Sequence, residues 1–177
     1  MSLRTPTVLV TGLAVLMTAC GPAEGPQDSN GDAVNPFFVE STLPLGMPHF
    51  DRIRNEHFLP AFERGIEEHR AEVLEIANNP EPPTFANVLV ALELSGRLLD
   101  RVSATFFNLV SADTNDELEE VRTQMAPRLA AHNDEVRLNP ELFARIEAIY
   151  SALDGLDLDP EQRRLVERYH TRYVRAG

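Results

Sequence analysis

Residues 55–77 read NEHFLPAFERGIEEHRAEVLEIA, and this stretch decides the fold class. Phe58, Phe62, Ile66, His69, Val73 and Ile76 recur at alternating spacings of four and three, one face of a 3.6-residue repeat, which predicts an amphipathic helix. Pro60 is compatible with it because the first turn does not need its missing N–H. The following ANNPEPP, residues 77–83, supplies Asn and Pro to stop it. The apolar face carries a histidine, so a possible site and the core are read from the same residues.

The pattern continues downstream. Thr84 is a good N-cap after two prolines, and Phe85, Val88, Leu92, Ser95, Leu99, Val102, Phe106 and Leu109 predict one long helix. Gly96 inside it costs about 1 kcal/mol relative to Ala, so a closely packed neighbouring helix is expected there. TNDE at 114–117 reads as a capping box with Thr114 at the N-cap. Leu118, Val121, Met125, Leu129, His132 and Val136 then line a third helix that Pro127 should bend. Asn139-Pro140 and Asp159-Pro160 open two shorter helices, the last with Leu165, Val166, Tyr169 and Tyr173 on its apolar side. No strand signal competes and the linkers are short. The expected fold is all-α, an antiparallel array of about five helices over residues 55–177.

Composition narrows the function. The 177 residues are 43% hydrophobic and 25% charged, a globular balance, with a net charge of −12. All 16 basic residues are arginines and no basic stripe stands out, so a nucleic-acid partner is set aside. The phenylalanines sit at helical spacing, which suits packing better than base stacking.

The single cysteine, Cys20, excludes an intrachain disulfide and a cysteine metal cluster. Arg4, the apolar run VLVTGLAVLM at 8–17 and the small residues up to Cys20 have the layout of an exported leader over 1–19, too short for a permanent span of about twenty residues. LMTAC at 16–20 resembles the bacterial lipobox, with Met17 where that pattern prefers leucine. The resemblance implies a lipid on Cys20, membrane attachment and a place in the bacterial cell envelope, facing the periplasm or the exterior. Residues 20–35, rich in Gly, Pro, Asp and Asn, read as a flexible tether. Residues 36–54, interrupted by Pro44, Gly46 and Pro48, read as an extended lead-in.

Catalytic patterns are scarce. On one helix His57 and His69 would stand about 18 Å apart, so they cannot share a metal ion. No H-E-x-x-H pair exists among His49, His57, His69, His132 and His170. His69 and His132, on apolar stripes of different helices, are candidates to converge. With Glu68 or Asp134 they could form a two-histidine, one-carboxylate site, but a polar core pair is the expected reading. There is no G-x-S-x-G, P-loop or G-x-G-x-x-G. Glu67-Glu68 and Glu119-Glu120 are sequence neighbours that diverge on a helix surface. Neither a catalytic nor a metal-ligating residue is assigned.

The blocks FLPAFERGIEEH, EIANNPEPPTFANVLVALELSGRLLDRV, FFNLVSADTNDEL, APRLAAHND, LNPELFARI and LDPEQRRLVERYHTRYVRAG together resemble the start of the thimet oligopeptidase family, in its peptidyl-dipeptidase and oligopeptidase A branch. The likeness runs from about Asn35 to Gly177. It implies a large, helical zinc metallopeptidase that cleaves short peptides in a deep channel. That family's zinc ligands and catalytic glutamate lie beyond the blocks matched, so none is carried onto this chain. The expectation is the front part of such an enzyme, a fragment inactive alone, with zinc only in the full-length protein, an oligopeptide as substrate and the missing catalytic part as partner. The alternative is a non-catalytic lipoprotein module that binds peptides or a partner subunit.

Overall fold

A computed structural model describes residues 34–177. The leader, Cys20 and the tether as far as residue 33 lie outside the described residues. Among those described there is no strand, and five helices have twelve residues or more: α1 Phe58–Ala77, α3 Arg97–Ala112, α4 Asp116–Arg137, α5 Pro140–Ser151 and α6 Pro160–Val174. Between α1 and α3 lies a π-helical segment, Phe85–Val90, that runs into the short α2, Ala91–Leu94. The all-α array is therefore the fold. No helix among the described residues is long and apolar enough to cross a membrane.

The apolar stripe of α1 organises the molecule. Phe58, Phe62 and Ile66 join Phe37, Val102, Phe106 and Met125 in one core. Val73 and Ile76 join Val88, Leu89, Leu142, Ile146 and Val166 in a second. Edge-to-face contacts set Phe106 against Phe58 and Phe62, with ring centroids 5.1 and 5.2 Å apart. Each phenylalanine so buried contributes about 2–3 kcal/mol. α1 packs most extensively on α3, and also on α4 and α5.

The second helix is not continuous, which corrects the sequence expectation. Ser95 is extended (φ −79°, ψ 162°) and Gly96 takes a left-handed conformation (φ 71°, ψ 16°). The break redirects the chain, because residues before it pack in the second core and α3 after it packs in the first. Gly96 is thus a hinge of backbone conformation. A neighbouring helix does approach Gly96 closely, through the His69 ring of α1, and the backbone-to-backbone approach is at Gly65, where a Cβ would stand 3.0 Å from Leu99 Cα.

The caps differ at one place. Asn115, not Thr114, caps α4 by accepting from the Leu118 N–H at 3.0 Å, while Thr114 donates to Glu119 at 2.8 Å. Thr84, Asn139 and Asp159 cap their segments as the sequence suggests. α4 runs unbroken past Pro127, which lies on its exposed side.

The lead-in, read as extended, contains two short 3₁₀ turns, Pro36–Phe38 and Pro44–Gly46, among irregular backbone. Phe37 inserts into the first core, and Arg101 donates to its carbonyl at 2.7 Å. Asn35, read as the last tether residue, already donates to the His57 carbonyl at 2.8 Å.

Candidate functional site

His69 and His132 come together at the α1–α4 contact. His132 Nε2 lies 2.9 Å from His69 Nδ1. Helical spacing places both on inward stripes, and the pair falls on α1 between Ile66 of one core and Val73 of the other. Gly96 closes the site from a third side, because a Cβ there would lie 3.1 Å from His69 Cγ. Its N–H donates to Glu72 at 2.7 Å.

His132 is 3% exposed, and its Nδ1 is buried without a hydrogen-bond partner, 4.0 Å from Glu135 Oε2. Glu135 is instead clamped by Arg70 Nε at 2.8 and 2.9 Å, and that hydrogen bond holds its carboxyl below the usual range. Burial lowers the pKa of both histidines, more than the neighbouring carboxylates raise it. For His132 the charges of His69 and Arg70 add to the lowering. The pair is thus held neutral and polar.

The two-histidine, one-carboxylate arrangement is not assembled, because neither Glu68 nor Asp134 is bonded to the rings. Glu68 receives Arg64 Nε at 2.7 Å. Among the described residues no group of three or more His, Cys, Asp or Glu is close enough to hold a metal ion.

The remaining histidines have local partners. His57 Nδ1 accepts from the Arg54 N–H at 3.0 Å. His49 lies 3.7 Å from Asp51. His170 is 2.6 Å from Glu147 and stacks on Tyr150 with centroids 3.8 Å apart. Glu119 pairs with Arg122 and Glu120 accepts from Gln124, so these neighbours do diverge.

Two features escape the sequence reading. Arg145 is buried, with its guanidinium donating to the carbonyls of Asn79 and Glu81 and to Asn87 Oδ1, and it fastens the α1 exit to α5. Its place among Leu142, Ile146 and Ile149 on the inward face of α5 was the available signal. The second is a basic cleft, which overturns the reading that no basic stripe exists. Arg164, Arg168, Arg172 and Arg175 of the α6 region, facing Arg137 at the end of α4, line about 560 Å³ with Glu167 as the one acidic residue. Their near fourfold spacing was legible. Beside the cleft, burial pushes the Tyr173 hydroxyl up to about 12. Tyr169 donates to Glu93 at 2.7 Å, linking α6 to α2.

No family model matches the chain. Dipeptidyl carboxypeptidase of Escherichia coli K12 is 49% identical over 144 residues, 81% of this chain and 21% of the relative. Dipeptidyl carboxypeptidase of Salmonella typhimurium LT2 is 43% identical over 145 residues, 82% of this chain and 21% of the relative. Oligopeptidase A of Haemophilus influenzae Rd is 25% identical over 122 residues, 69% of this chain and 18% of the relative. The chain spans about a fifth of the length of the curated relatives it matches. Fold and likeness together define an all-α chain of a peptidase family. The chain is homologous to dipeptidyl carboxypeptidase and oligopeptidase A, consistent with the N-terminal part of a thimet oligopeptidase family enzyme.

Proposed function

We propose that this chain is the N-terminal helical part of a membrane-anchored zinc metallopeptidase that cleaves short peptides, with the zinc site outside these residues. The observation that carries the reading is 49% identity to a dipeptidyl carboxypeptidase across 81% of the chain. The absence of H-E-x-x-H from the 177 residues, and the mutual bonding of His69 and His132, are consistent with a scaffold role for this part. In this reading the array forms part of a channel wall that admits flexible peptides, and Cys20 carries the lipid that holds the protein in the cell envelope.

Reading the coding DNA past codon 177 tests the assignment. An H-E-x-x-H motif in the same frame, or one frameshift away, is the expected result. An authenticated stop followed by unrelated DNA would overturn it and leave an anchored helical module that binds peptides or a partner. The anchor is tested separately: Cys20→Ser should move the protein from the membrane to the soluble fraction, and unchanged partition would refute lipidation.

A further inference from the structure

The arginine cleft is anomalous in a protein of net charge −12. Five guanidiniums face it against one carboxylate. Arg164 is paired with Glu167 at 2.9 Å, and Arg172 stands over the Tyr169 ring at 5.4 Å. The side chains of Arg137, Arg168 and Arg175 have no ion pair or hydrogen bond among the described residues. The five arginines are exposed, so the cleft presents a local positive field to solvent, and an anionic occupant is what that field attracts.

The spacing indicates which anion. At 1.5 Å and 100° per residue, Arg164, Arg168, Arg172 and Arg175 form a row about 16 Å long and within about 80° of arc. Successive members are about 4.5–6 Å apart along the axis. One phosphate would engage only part of such a row. An extended peptide places alternate side chains on one side about 6.6 Å apart, so five residues set three carboxylates along about 13 Å of the row. A planar bilayer does not enter a concave site between two helices. Single-stranded nucleic acid has suitable charge spacing but uses aromatic platforms, and no aromatic residue lines this cleft.

We infer that the cleft between α6 and the end of α4 binds an extended acidic peptide segment, with alternate carboxylates paired to successive guanidiniums. Arg137 closes the opposite side and fixes the segment in the groove. This goes beyond the peptidase reading and does not depend on it, because binding here needs no cleavage.

The test is fluorescence anisotropy of the full 177-residue chain with a labelled Glu-Ala-Glu-Ala-Glu peptide and a Lys-Ala-Lys-Ala-Lys control. Saturable binding of the acidic peptide alone is expected, weakening as salt is raised. Arg168→Glu with Arg175→Glu should reduce affinity at least tenfold. Arg122→Glu with Arg128→Glu makes the same change in net charge away from the cleft and should leave affinity within twofold. Circular dichroism establishes that each variant folds, and should the first pair fail to fold, Arg168→Gln with Arg175→Gln replaces it. Absence of binding, equal loss in both pairs, no loss in the cleft pair, or tighter binding of an oligothymidylate of matched length would each overturn the inference.

Discussion

His132 Nε2 lies 2.9 Å from His69 Nδ1, a polar contact between α4 and α1 at the level where two apolar cores meet. The neighbours favour one tautomer. If His69 Nδ1–H donates, His132 accepts at Nε2 and turns its Nδ1–H toward Glu135, 4.0 Å away. The opposite tautomer leaves a bare acceptor facing that carboxylate. Nitrogen-15 shifts of the imidazoles should therefore show His132 protonated at Nδ1; protonation at Nε2 would refute this arrangement.

The pair also predicts how stability depends on pH. Both folded pKa values are below the ordinary 6.5, so the unfolded chain binds protons more readily as pH falls through 6.5. Stability contributed by the neutral pair is full above 6.5 and declines below it, until the lowered folded values are reached. Urea unfolding between about pH 5 and pH 8 should show this slope. His69→Gln with His132→Gln should flatten it; an unchanged slope would assign the dependence to other groups.

Three glycines should respond differently to alanine. At Gly96 the left-handed backbone costs about 1–2 kcal/mol, and crowding of the His69 ring adds to it. A Cβ at Gly65 meets Leu99 backbone, an overpacking of about 1–3 kcal/mol offset by about 1 kcal/mol of helix propensity. Nothing lies within 4 Å at Gly155, so Gly155→Ala should be within about 0.5 kcal/mol of neutral. Denaturant midpoints should fall in the order Gly155→Ala, Gly65→Ala, Gly96→Ala; equal midpoints for the first and last would contradict the hinge.

Arg145→Met keeps an apolar stem but leaves the Asn79 and Glu81 carbonyls without their donor. A loss of about 2 kcal/mol is expected by chemical denaturation, with Arg145→Lys losing less. A neutral Arg145→Met would mean that solvent replaces the guanidinium at these carbonyls.

Capping gives a cleaner comparison because both residues are adjacent. Asn115→Ala should cost about 1 kcal/mol, whereas Thr114→Ala removes a side-chain contact on the surface and should cost less than about 0.5 kcal/mol. The reverse order, measured as unfolding free energies, would return the cap to Thr114.

Much of this was legible without coordinates. The stripe of α1, the proline-bounded caps at Asn139 and Asp159, and the all-α class follow from spacing and local chemistry, which act within a few residues. Ser95-Gly96 carried a break signal, yet a continuous stripe on either side outweighed it. The break became visible only because the two segments pack in different cores. Arg145 shows the same limit: spacing puts it inward, but its acceptors lie more than fifty residues away in sequence.

By itself the sequence determined the all-α class, most of the helices with their apolar faces, and the kinship carried by their blocks, since periodicity and most caps are properties of neighbouring residues. Tertiary structure decided that His69 meets His132, that Gly96 turns the chain from one core to the other, and that Arg137 faces the arginine row of α6. Those relationships depend on how separate helices approach one another, and that is set by packing and by the burial of polar groups across long sequence separations.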